Sequence, residues 1–176
     1  DFVYLDTPDS VNQDILPENI PIDILYEDED VLIVNKPKGM VVHPAPGHYS
    51  GTLVNALMYH MLSGESADND TGASESSAGS HFCNSLSGIN GVLRPGIVHR
   101  IDMNTTGSLI ICKNDKAHLS VAAQLKEHSI NRVYRAIVHG VIDEDTGTIN
   151  TPIGRNENHR LKMAVNASNS KNAVTH

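Results

Sequence analysis

A chain of 176 residues with 39% hydrophobic content is long enough for one domain of ordinary size with a real core. Its net charge of −8, taken alone, argues against a nucleic-acid binder, because phosphate contacts usually need a basic face. No run approaches the ~20 apolar residues that cross a bilayer, and no signal-peptide pattern opens the chain, so no membrane partner is expected. The acid is unevenly placed, however. Asp6, Asp9, Asp14, Glu18, Asp23, Glu27, Asp28, Glu29 and Asp30 crowd the start, whereas His99–Lys126 and Asn131–Lys162 are richer in Arg, Lys and His. Two cysteines, Cys83 in a polar tract and Cys112 in an apolar run, are too few for a disulfide framework or a zinc site. They are expected to be free thiols in a reducing cytoplasm. The first residue is Asp rather than Met, so a piece of a longer polypeptide is expected.

Residues 1–20 are polar and acidic and read as an arm or linker, ahead of a domain over 21–176. ILYEDEDVLIVNKP then reads as strand, acidic turn and strand, with Val31–Val34 buried. Lys36-Pro37-Lys38-Gly39 breaks it, and Met40–His43 starts another short extended piece. TLVNALMYHML has apolar residues at helical spacing, with Thr52 as its cap. Ser63–Ser85 is rich in Ser, Gly and Asp and predicts a disordered insertion. Arg94-Pro95-Gly96 returns the chain to order. GSLIIC reads as a buried strand, DKAHLSVAAQLKEHSI as an amphipathic helix, and VYRAIVHGVI alternates like a strand. After a turn at Asp143–Gly147, GTINTPIG continues as strand and loop, and the tail from Asn166 is polar. Strands outnumber helices without alternating regularly with them, which predicts an α+β fold.

The stretch VHRIDMNTTG carries the first chemical candidate, Asp102. A carboxylate held and desolvated can attack sugar or activated-ring carbons, and Arg100, two residues away, would keep it ionised in a dry pocket. Spacing alone favours the commoner outcome, an Asx-turn ahead of a strand. Tyr134 sits in RVYRAIVHG between Arg132 and Arg135. Such a ring can stack on a base, at ~1–3 kcal/mol, or serve as a core aromatic with a satisfied hydroxyl. The histidines His43, His48, His60 and His99 form no HExxH and no zinc spacing, so no metal is expected. Lys36 and Lys38 are possible phosphate contacts, although lysines in such a setting more often solvate a turn. RNENHRLK is a basic loop by the same logic, and no Walker or dinucleotide glycine pattern occurs.

Together and in this order, these stretches resemble the RluA-type family of RNA pseudouridine synthases. HRIDMNTTG is similar to that family's central HRLDxxTSG motif, and EDEDVLIVNKPKGMVVHPAPGH to its first motif. TLVNAL, RPGIVHR, RVYRAIVHG and TPIGRN…RLKMAV follow the pattern as well, so the resemblance spans most of Ile24–His176 apart from the Ser63–Ser85 insertion. The ordered set of motifs reverses the reading of Asp102. Within the family the branch acting on large-subunit ribosomal RNA is the most similar. In that branch an S4-like RNA-binding domain precedes the catalytic one, and its absence here would explain the acidic balance. Met103, Asn104 and Thr106 depart from the usual motif residues. The chain ends at NAVTH, near where the family's late LxTGRTHQIRxH motif would begin; without it a basic partner of the catalytic carboxylate is missing, and the fragment is expected to be incomplete.

The resemblance implies a mixed, largely antiparallel sheet with flanking helices and a cleft across its middle, truncated at both ends. It implies a cytoplasmic, monomeric enzyme without cofactor or metal, whose partner is RNA, ribosomal RNA in particular. Asp102 would be the catalytic residue, with Arg100, Tyr134, His99 and Thr106 binding the substrate. Two rivals stand beside it. One is a non-catalytic RNA-binding fragment. The other is a glycoside hydrolase, which would need Glu127 or Asp115 as a second acid opposite Asp102.

Overall fold

The computed structural model describes residues 15–45, 47–65, 86–91, 94–159, 162–165 and 168–176. They form two compact units that divide at Asn131 and Arg132. In the first unit, β1 (Asp23–Glu27), β2 (Val31–Lys36) and β3 (Gly107–Cys112) make an antiparallel sheet in the order β1-β2-β3. The acidic turn has a local cause: the Asp28 carboxylate accepts from the backbone N–H groups of Asp30 and Val31 at 2.8 and 2.7 Å. The Asp28 side chain thereby closes its own turn, as Asx residues do. Lys113 gathers in the surrounding acid, binding the Glu27 carboxylate at 3.0 Å and the Asp28 carbonyl at 2.8 Å.

Period-two alternation along β2 turns Leu32, Val34 and Lys36 to the interior, opposite Ile111, Leu109 and Gly107 of β3. Helix α1 (Leu53–Glu65) supplies the other side of the core through Leu53, Val54, Leu57, Met58 and Met61. Each such aliphatic side chain contributes ~1.5–3 kcal/mol by leaving water. Thr52 caps α1: its hydroxyl and N–H both meet the Asn55 side chain, and Asn55 N–H returns to the hydroxyl at 3.4 Å. This is the reciprocal logic of a capping box, with Asn in place of the usual Glu. The first amides of the helix are satisfied by the preceding chain, Leu53 by the Val41 carbonyl and Val54 by that of Val42.

Helix α2 (Asp115–Lys126) starts at Asn114, whose side chain accepts from Ala117 N–H at 2.9 Å, and buries Ala117 and His118. Ahead of β3, Gly96 has φ +68, and a Cβ there would meet the Cys112 carbonyl oxygen at 2.6 Å. Only glycine lets the chain lie this close to the strand. In the second unit, β4 (Ile149–Asn150) pairs with β7 (Val174–Thr175), and β5 (Ile153–Arg155) pairs with β6 (Met163–Val165), all antiparallel.

The architecture is α+β with antiparallel sheets, as the sequence leads one to expect. Five local readings change. The described strands fall into three small sheets rather than one. Ile15–Ile20 is no free linker: Ile15 is buried, the Leu16 carbonyl accepts from Asn55, and Glu18 holds Gly51 N–H. Ser63 lies inside α1, which runs to Glu65, so the expected insertion cannot begin there; the remainder of that stretch, with Cys83, is outside the described residues. VYRAIVHGVI forms no strand among the described residues, and its apolar side chains are exposed, Val133 by 88% and Val141 by 90%. Alternation supplies the side-chain pattern of a strand but not the partner that makes one. Met40–His43, likewise read as extended, forms bends that feed α1.

Candidate active site

The chain from Val98 to Gly107 joins the Gly96 turn to β3. Within it, Thr105 N–H donates to the Asp102 carbonyl at 3.0 Å, closing a turn across Met103 and Asn104. The Asp102 carboxylate stands exposed on this turn. Against the expectation of a desolvated carboxylate, Asp102 is exposed in this structure.

What fixes the turn is Lys36. It is wholly buried, and its ammonium donates to the carbonyls of Pro37, Met40 and Met103 at 2.9, 2.8 and 3.1 Å. Gly39 N–H donates to the same Met103 carbonyl at 2.8 Å. The breaker after β2 and the turn that carries Asp102 are thus tied together by one cation. Burial lowers the Lys36 pKa, and the nearby negative charge of Asp102 opposes that shift. From the sequence Lys36 reads as a possible phosphate contact or, more often, a lysine that solvates a turn, whereas the structure buries it. The signal was the alternation itself, because Lys36 shares the face of Leu32 and Val34.

His99 and Arg100 open onto a cavity of about 290 Å3, which His43, Asn90, Arg94 and Ile97 also line. His99 Nε2 accepts from Ile110 N–H at 3.0 Å, so in the neutral ring the proton is on Nδ1. His43 is 7% exposed. Burial first, then the charges of Arg94 and Arg100, push its pKa down. Thr106 is exposed immediately before β3, where the expected motif places it beside Asp102 in sequence. The structure therefore brings His99 and Arg100 together around one cavity, and sets Asp102 and Thr106 on the adjoining turn. Tyr134 belongs to the second unit and is 66% exposed, in the segment that lacks strand structure.

Cys112 is a free thiol, and burial pushes its pKa up to about 11, which leaves it a packing residue with no nucleophilic character. Among the described residues no three His, Cys, Asp or Glu are grouped to hold a metal ion, and no helix is long and apolar enough to cross a membrane.

Comparison with known proteins gives this α+β chain a family. The family model for RNA pseudouridylate synthase matches residues 30–176, and the chain belongs to that family. It is 50% identical over 176 residues to the Uncharacterized RNA pseudouridine synthase YlyB of Bacillus subtilis, covering 100% of this chain and 50% of that protein. It is 48% identical over 161 residues to the Ribosomal large subunit pseudouridine synthase D of Zymomonas mobilis, covering 91% of this chain and 44% of that protein. The chain thus spans about half the length of these curated relatives. The solved structure of Human RNA Pseudouridylate Synthase Domain Containing 1 superposes with a TM-score of 0.59 at 22% identity, over 88% of this chain and 50% of that one. That likeness concerns the fold alone.

Proposed function

We propose that the protein isomerises uridine to pseudouridine in RNA, large-subunit ribosomal RNA in particular, with Asp102 as the catalytic carboxylate. The observation that carries this reading is the bracing of the Asp102 turn by buried Lys36, which holds an exposed acid in one place on an otherwise polar loop. Family membership and the relative named for the large ribosomal subunit support the substrate class.

The reaction breaks the bond from ribose C1′ to uracil N1, turns the base, and forms a bond from C1′ to C5. The C5 proton is lost and N1 gains one, so atoms balance without redox chemistry. A stacked nucleotide hides these atoms, so the target is flipped out of its strand. Asp102 opens the reaction as nucleophile or as the base that takes a sugar proton, and either role needs its carboxylate ionised. Arg100 pairs with that carboxylate or fills the space the base leaves. His99 and Thr106 line the approach, and Tyr134 stacks under the uracil.

The test is tritium release from RNA carrying 5-³H-uridine, using the full-length protein. Asp102→Asn keeps the shape of the side chain, removes the charge, and is expected to abolish release while leaving RNA affinity within about 2-fold. Release at the wild-type rate would remove Asp102 from the chemistry.

A further inference from the structure

Resting on that reading of RNA as the substrate, we propose that the cavity bounded by His43, Arg94 and Arg100 is a subsite for a backbone phosphodiester of the RNA strand. The chain as a whole carries a charge of −8, yet among the described residues no carboxylate lines this cavity. The ion pairs among the described residues all engage Glu27, so neither guanidinium is neutralised by one. His43 is buried and its Nδ1 has no hydrogen-bond partner among the described residues. A buried polar atom left unpaired carries a cost of ~1–3 kcal/mol, which an anionic oxygen entering the cavity would remove in the tautomer that carries its proton on Nδ1.

Two other polar atoms there are already committed. Asn90 Nδ2 donates to the Ile97 carbonyl at 2.6 Å, and His99 Nε2 accepts from Ile110. What remains among the described side chains is the Arg94 guanidinium and the His43 imidazole, with the charge of Arg100 beside them, and a fork of guanidinium donors suits an anionic oxygen. The volume of about 290 Å3 admits a phosphate with several waters, each of which takes ~30 Å3. Because Arg100 lies two residues before Asp102 in the chain, a phosphate held here sits beside the nucleotide being processed. The subsite thus positions the strand and reads no sequence.

The experiment is a titration of the full-length protein with inorganic phosphate, uridine 5′-monophosphate and uridine, followed by NMR through the His43 imidazole, whose signals are assigned with His43→Gln. Phosphate and the monophosphate are expected to shift His43 saturably, and uridine is not. Arg94→Gln is expected to weaken both anions about 10-fold, whereas Arg94→Lys restores part of the affinity. Equal shifts from uridine and its monophosphate would show that the cavity takes the base and overturn the proposal. So would anion affinities unchanged in Arg94→Gln. None of these readouts needs turnover. A protein that releases tritium but ignores phosphate loses the subsite and keeps the activity, and the opposite result keeps the subsite and loses the activity.

Discussion

Lys36 has no carboxylate as its hydrogen-bond partner, yet it is wholly buried, and that combination is tolerable only because three carbonyl oxygens point at its ammonium. Two of them belong to its own turn and the third to the Asp102 turn. Lys36→Met would preserve the volume and leave those acceptors without their donor, at an expected cost of ~1–3 kcal/mol in urea unfolding. An unchanged midpoint would mean that other donors or water replace the ammonium. Asp102 itself was legible in the sequence as part of an ordered motif. Its surroundings were not, because Lys36, which fixes the turn through Met103, lies 67 positions from that residue along the chain, and no spacing within VHRIDMNTTG points there. His43 is the same case. Its loop reads as polar, and only folding sets it against Arg94 and Arg100.

At the scale of elements, the β1–β2 hairpin and α2 could be read directly, since each carries its own punctuation: an acidic Asx-turn in one, an Asn cap in the other. Asp28 gives the hairpin a dependence on acidity. The Val31 N–H bond first, then Tyr26 and the Asp30 N–H, hold its carboxyl below the usual carboxylate range. A folded-state pKa that is depressed favours the folded form above the unfolded pKa, and this contribution is lost as pH falls through the folded value. The hairpin is therefore expected to loosen below pH ~3.8, the ordinary aspartate value. Asp28→Ala should remove that acid-sensitive step from the Val31 amide shift in NMR; an identical step in the variant would assign it to another acid. Segment VYRAIVHGVI shows the opposite situation. Its alternation is real, but strand formation depends on an edge to pair with, which a one-dimensional pattern does not contain.

For the molecule as a whole, order is concentrated where α1 and β3 press against β2. Local opening free energies rise with buried contacts and paired amides, so hydrogen exchange is expected to separate the two units sharply. Amides of Leu32, Val34, Leu109 and Ile111 should exchange by the slowest openings, and those of Val133–Ile142 within the fastest class, by at least ~100-fold. Comparable protection in both sets would mean that the second unit is held by pairings the structure does not contain. Fold class was legible from the count and order of elements. Division into units was not, because nothing in the composition changes at Arg132.

One ammonium shared between two distant turns also limits how such a protein can diversify. A substitution that moved the acid-bearing bend would have to dislodge the first hairpin as well, so that bend is mechanically coupled to the part of the molecule least able to give. New target preferences in this lineage should therefore arise through changes in peripheral loops, while the bend and its anchor are inherited together.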